Sequence, residues 1–136
     1  MVGQAYINNK DINTWGACLG RGAYETLLKP APAKELISNT SRLQNGKQVI
    51  VDKIFLDERN ITLSFWITGV SEEDYLHKYQ SFLNEVTKGV FTLKVPVLRT
   101  LYNLYYIDCS SYGHYNLRGR ITLKLNEPNI DDRIAL

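Results

Sequence analysis

The sequence predicts an α+β fold, mainly β: an antiparallel sandwich or barrel with one long helix, about residues 71–88, packed on it. Three observations predict it. Residues 60–68 and 117–126 alternate apolar and polar side chains, the two-residue period of a half-buried strand. Residues Tyr75 to Val86 carry apolar side chains at spacings of one, three and four, which makes one stripe on a helix. The strand-like segments do not alternate with helices, so a parallel sheet built from βαβ units is disfavoured. Nine tyrosines among 136 residues favour strands and wet interfaces. The length fits a single domain, residues 1–136, able to bury roughly 68% of its unfolded surface.

The elements follow in order. Ala5-Tyr6-Ile7 is a short strand. Asn8-Asn9-Lys10-Asp11 is a turn, because Asn and Asp tolerate left-handed backbone and bond their own main chain. Ile12 to Leu19 is expected to be a second strand, broken by Gly20-Arg21-Gly22. Ala23 to Leu28 is too short for periodicity to separate strand from helical turn. Residues 29–47 read as a long loop or arm. Pro30 and Pro32 prevent regular pairing, Ser38-Asn39-Thr40-Ser41 is polar, and Asn45-Gly46 is a hairpin turn signal. Val49, Val51 and Phe55 then read as a strand whose partner precedes that turn.

Asn60 to Thr68 turns Ile61, Leu63, Phe65 and Ile67 one way and Thr62, Ser64, Trp66 and Thr68 the other. Ser71 caps the helix, and Glu72, Glu73 and Asp74 suit its dipole. Its stripe is Tyr75, Leu76, Tyr79, Phe82, Leu83 and Val86, expected to pack on the Ile61 to Ile67 face. Lys88 and Gly89 stop it. Val90 to Val95, Leu101 to Cys109 and Leu117 to Asn126 complete the strands. Ser110-Ser111-Tyr112-Gly113 is expected to be the last turn. Pro128 ends the final strand, and Asp131-Asp132-Arg133 reads as a frayed tail.

Several function classes lose support. The net charge is +2, from 16 basic and 14 acidic residues, too balanced for nucleic-acid binding by bulk charge. No apolar run approaches the ~18 residues of a membrane span, and no basic-then-apolar leader opens the chain. Cys18 and Cys109 are not a disulfide framework and read as free buried thiols, with pairing left open. His77 and His114 have no ligand at metal spacing. The pairs Asp57-Glu58, Glu72-Glu73 and Asp131-Asp132 fit a loop, a helix start and a tail. Gly20-Arg21-Gly22 lacks the pattern of a phosphate loop. No catalytic, cofactor-binding or metal residue is therefore expected, and no enzyme. Arg118, Arg120 and Lys124 share a strand face, with Lys94 and Arg99 nearby in sequence and Tyr102, Tyr105, Tyr106, Tyr112 and Tyr115 around them. Such a mixture suits single-stranded nucleic acid, but a solvated face and a protein interface is the preferred reading.

In order and spacing these signals resemble the N-terminal domain of phage distal tail proteins, a family related in fold to tail-tube proteins. The family's opening strand and Asn/Gly-Lys-Asp turn are matched by Ile7-Asn8-Asn9-Lys10-Asp11-Ile12. Its Asn-Gly segment is matched by Arg42-Leu43-Gln44-Asn45-Gly46. The alternating strand Asn60 to Thr68, the helix Tyr75 to Val86 and a Gly-led strand follow. The closing strand is matched by Ile121-Thr122-Leu123-Lys124-Leu125-Asn126-Glu127-Pro128. Nearly the whole chain is covered.

The resemblance implies a structural protein of a phage or prophage tail. Copies would form a ring, possibly a hexamer, at the distal end of the tail tube or baseplate hub. Partners would be other tail or baseplate proteins, in a virion tail assembled in the bacterial host cytoplasm. No specific nucleic-acid binding, no membrane and no cofactor are expected. The carbohydrate-module-like domain that the family often adds would follow Leu136, so sugar binding by such a module is not expected of these residues. Cyclic rings use two different surfaces per subunit. Candidate interface residues are Lys29, Pro30, Pro32, Lys34, Arg42 and Asn45 on the arm, and Tyr102, Tyr105, Tyr106, Arg118 and Arg120. The competing reading is a small β-sandwich module binding carbohydrate or protein through Trp15, Trp66 or the tyrosines.

Overall fold

In the computed structural model, which describes residues 2–33, 38–39, 48–49 and 55–136, the chain opens with two short strands, β1 (Tyr6–Ile7) and β2 (Lys10–Asp11). Asn8 and Asn9 join them at φ 50° and 66°, the left-handed backbone expected of this turn. The next segment departs from the expected strand. Ile12–Trp15 is a 3-10 helix, and only Ala17–Leu19 forms a strand, β3. Asp11 Oδ1 accepts the Asn13 N–H at 3.0 Å, and Gly16 closes the turn at φ 63°. Ile12 and Trp15, three residues apart, thereby both reach the core, which an extended chain would not allow. Ala23–Leu28 is helix α1, with Ala23 and Leu27 inward.

Past Ala33, β4 (Ser38–Asn39) pairs with β5 (Gln48–Val49), so Val49 has a partner earlier in the chain as expected. The Asn45-Gly46 turn and Val51 lie outside the described residues. The main ladder starts with β6 (Arg59–Thr68), followed by helix α2 (Glu72–Val86). Ser71 caps α2 as predicted, accepting the Asp74 N–H at 3.1 Å. Then come β7 (Phe91–Val95), β8 (Thr100–Tyr115), β9 (Arg118–Glu127) and β10 (Ile134–Ala135).

Eight strands make one antiparallel sheet in the order β2-β1-β7-β8-β9-β6-β3, with β10 also on β8. The class is the expected one, mainly β with one long helix among the described residues, and the sheet is open rather than closed into a barrel. β6 and β9 pair along their whole length, from Arg59 opposite Glu127 to Thr68 opposite Arg118.

Two expectations near the C-terminus are corrected. Ser110 to Gly113 is not a turn: it lies inside β8, and Asn116 turns the chain at φ 54°. The strand tolerates its polar residues because the register shifts between Tyr106 and Asp108 and again between Cys109 and Ser111. The residues after Pro128 are not frayed either. Ile130–Asp132 forms a 3-10 turn and β10 pairs Ile134 with Leu101.

The core lies where α2 meets β6. The Phe82 ring is 5.1 Å from Phe65 and 6.0 Å from Trp15. Tyr75, Phe82 and Val86 are buried, and Tyr79 and Leu83 pack beside them. Leu76 is the exception to the predicted stripe: it is 51% exposed, because a helix turns about 100° per residue and carries it off the buried face. Glu85 is buried at the last turn, held by Asn8 Nδ2 at 2.8 Å and by Lys10 and Lys88.

Candidate functional site

Strand β8 has two environments. Thr100 to Leu104 pair with β7, and Thr100 and Leu101 with β10 on the other side. Tyr105 to Tyr115 pair with β9, while no described strand continues β7 along the opposite edge. The register shifts leave Ile107 and Ser110 without a residue across from them. Bulges of this kind bend an edge and discourage indiscriminate pairing. A cleft of about 270 Å³ opens at this edge, lined by Thr87, Gly89, Val90, Tyr105 and Tyr106. Exposed Val90 and Ile107 place apolar surface in the same stretch.

The register sorts the β8–β9 side chains onto two faces. Tyr112 and His114 turn towards α2. Tyr75 stacks on His114 with ring centres 5.0 Å apart, Tyr79 lies 5.3 Å from Tyr112, and the Tyr75 and Tyr112 hydroxyls are 2.6 Å apart. Burial, then the Tyr112 bond, raises the Tyr75 pKa, and burial also raises those of Tyr79 and Tyr106. These phenols stay neutral and act as packing groups.

The opposite face carries the cations. Arg118, Arg120 and Lys124 are exposed there, as the alternation predicts. Arg118 sits 4.3 Å above the Trp66 ring, which Tyr115 flanks at 5.9 Å. Arg120 Nη2 reaches Ser64 Oγ at 3.4 Å. Thr122 and Asn126, expected to be wet, are buried. Thr122 shares a hydrogen bond with Ser64, and Asn126 Nδ2 donates to Asn60 Oδ1 at 2.9 Å. Lys94 is on β7, over the Tyr6 ring, and Arg99 precedes β8.

A third cluster was not singled out from the sequence. Arg59 is 3% and Glu127 0% exposed, and they face each other across the ladder. Arg59 Nη1 donates to the carbonyls of Leu27 at 2.8 Å and Lys29 at 2.7 Å, closing the end of α1. Its Nε lies 3.0 Å from Glu127 Oε1 without hydrogen-bond alignment, and Nη2 has no hydrogen-bond partner among the described residues. Arg133 completes the pair with two 2.7 Å bonds to the Glu127 carboxylate. Burial lowers the Arg59 pKa against the pull of Glu127, whereas the Glu127 bond raises that of Arg133. Tyr102 lies beneath both guanidinium groups, at 5.7 and 5.2 Å. No local motif marks this cluster: the β6–β9 register brings Arg59 to Glu127, and the turn after Pro128 folds Arg133 back onto the same carboxylate.

The expected interface residues therefore separate. Tyr102 is a core residue, 2% exposed. Tyr105 and Tyr106 are half-buried at the open edge of β8, and Arg118 and Arg120 stand on the cationic face. Lys29, Pro30 and Pro32 are exposed beside the other edge of the ladder, at a cleft of about 700 Å³ shared with Thr26, Asn60 and Thr62. The Pro32 carbonyl accepts the Asp57 N–H at 2.7 Å and Ala33 bridges Leu56, which ties the base of the arm to the approach to β6. Lys34, Arg42 and Asn45 lie outside the described residues. Trp15 is in the core. Cys18 and Cys109 are free, and half-buried rather than buried. Among the described residues no group of His, Cys, Asp and Glu is arranged to hold a metal, and no helix is long and apolar enough to cross a membrane.

No protein-family model matches the sequence, and no curated protein matches it. The fold is similar to that of a phage hub protein. The chain aligns with the crystal structure of Dit (gp 19.1) of phage SPP1, described as a paradigm of the hub adsorption apparatus in phages that infect Gram-positive bacteria, at a TM-score of 0.63 and 13% identity. The alignment covers 90% of this chain and 48% of the Dit chain, so this chain spans about half of Dit's length. At that identity the likeness is one of fold.

Proposed function

We propose that the chain is a structural subunit of a phage or prophage tail, and that its copies form a ring at the distal end of the tail tube or at the baseplate hub. The observation that carries this reading is the fold shared with SPP1 Dit over 90% of the chain. The ladder geometry supports it. Among the described strands, β8, β9 and β6 leave two outward edges: β8 beyond Leu104, and β6 before Phe65, where pairing with β3 begins. A head-to-tail ring needs two different surfaces on each subunit. Tyr105, Tyr106, Val90 and Ile107 flank one edge, and Lys29, Pro30 and Pro32 flank the other. The arm over 29–47 would extend the second surface towards a neighbour, and other tail or baseplate proteins would stack on the ring. A hexamer is the expected number.

Mass in solution by light scattering, with electron microscopy of the particles, tests the proposal. The purified chain should give a discrete ring. Ile107→Lys places a charge on the open edge and should leave monomers with unchanged circular dichroism. A chain that stays monomeric at every accessible concentration overturns ring formation, and full-size rings of the variant overturn the role of this edge.

A further inference from the structure

We propose that the two edges of the ladder fit one another: the bulge at Ile107 of one copy enters the cleft beside β6 of the next, and Asp108 pairs with that copy's Lys29. This rests on the ring reading and names the residues of its two surfaces that meet. The bulge is the knob. The register shift between Tyr106 and Asp108 leaves Ile107 without a residue across from it on β9, and its side chain is 47% exposed. Asp108 follows it and is exposed too, with Oδ1 accepting the Cys109 N–H at 2.7 Å. The cleft is the hole. It has a volume of about 700 Å³, and Pro30, Pro32 and Ile61 line it together with Thr26 and Thr62. A cleft of this size admits the bulged segment as a whole. Strand β6 is open there among the described strands, because its pairing with β3 begins only at Phe65.

Charge matches the two surfaces. Lys29 stands exposed at the cleft, and among the described residues neither Lys29 nor Asp108 has an ion-pair partner. Arg59 also lines the cleft, but Glu127 and the Leu27 and Lys29 carbonyls hold its guanidinium. Glu58 is the carboxylate of the lining, and its Oε2 accepts the Asn126 amide at 3.3 Å. The incoming edge carries a cation for it, since exposed Lys124 lies across from Asp108 in the β8–β9 register. Each surface therefore sets one cation and one carboxylate around an apolar element: Asp108 and Lys124 at the knob, Lys29 and Glu58 at the hole. Complementary charges of this kind fix register and penalise a wrong alignment. A second copy is the occupant because the chain itself carries both halves. A knob on one side and a hole on the other make a head-to-tail contact, which repeats until rotation closes it.

A charge exchange tests the contact, with mass in solution followed against protein concentration. Lys29→Asp and Asp108→Lys each set like charges face to face, and each should raise the concentration needed for half assembly roughly tenfold or more. The double variant Lys29→Asp/Asp108→Lys restores opposite charges at every junction and should assemble nearly as the parent does. Equal amounts of the two single variants should also assemble on mixing, since alternating copies give only matched junctions, and this recovery shows that both are folded. If Asp108→Lys loses its fold by circular dichroism, Asp108→Asn keeps an acceptor for the Cys109 N–H. Lys29→Asp should then harm assembly less in the Asp108→Asn background than in the parent. Parent rings that neither single variant weakens, or a double variant no better than the singles, overturn this contact and leave the ring standing. Recovery on mixing that yields discrete dimers supports the contact and refutes the ring. A parent that stays monomeric overturns both.

Discussion

Gly119 on β9 and Tyr75 on α2 occupy adjoining space with none to spare: a β-carbon on Gly119 would overlap the Tyr75 hydroxyl. The glycine is what lets the first turn of the helix lie on the β8–β9 hairpin and lets Tyr75 reach Tyr112. Gly119→Ala should destabilise the fold by about 1–3 kcal/mol through overpacking. Tyr75→Phe in the same chain removes the overlapping oxygen and should recover part of the loss. Urea unfolding of the single and double variants measures both, and a double variant no better than the single one would show that the hydroxyl is not the obstacle.

Glu127 balances two guanidinium groups in the interior. Glu127→Ala leaves Arg59 buried and Arg133 without its two carboxylate bonds. Removing one partner of a buried ion pair costs about 3–5 kcal/mol. The expected result is a large fall in stability by urea unfolding, together with early hydrogen exchange at Ile134 and Ala135, which Arg133 anchors. Exchange that stays as slow as in the parent would mean that β10 is held without the pair.

The helix stripe makes a graded prediction. Phe82→Ala should cost about 3–5 kcal/mol, since its ring is fully buried between Phe65 and Trp15. Leu76→Ala should change stability by no more than about 0.5 kcal/mol, as is usual at an exposed position. Melting temperatures of the two variants compare them directly, and equal losses would contradict the observed helix rotation.

Glu85 gives a pH dependence. The Asn8 amide, and then Lys88 and Lys10, hold its pKa below the ordinary glutamate value, against the opposing effect of burial. A carboxylate depressed in the folded state contributes stability that is fully present above its unfolded pKa of ~4.3 and is lost as pH falls through the lower folded value. At pH 7 Glu85→Gln should therefore be less stable than the parent, and the difference should vanish in acid below the folded value. Stability curves of both proteins between neutral pH and strong acid test this; a difference that persists unchanged in acid would assign it to packing instead of charge.

The sequence by itself determined the elements whose periodicity is long. The alternation over 60–68 and 117–126 located β6 and β9 to within a residue or two, and Ser71 with its three carboxylates located the start of α2. Those signals are local, since burial on one face imposes a period that any window of the chain displays. The same alternation placed Arg118, Arg120 and Lys124 on one face. Tertiary structure decided the rest. Ile12 to Trp15 looks extended but coils, because burying two side chains three apart repays a tight turn. Ser110 to Gly113 reads as a turn but stays in the strand, because β9 offers partners across it and the bulges absorb the misfit. Leu76 belongs to the stripe by spacing but not by rotation, since the angular position of a helix is set by what it packs on. Tyr102 looks like an interface residue and is core, because Arg59, Glu127 and Arg133 converge on it from separate parts of the chain. A contact between residues far apart in sequence leaves no mark in either segment alone; only the strand register brings Arg59 to Glu127 and makes their burial tolerable.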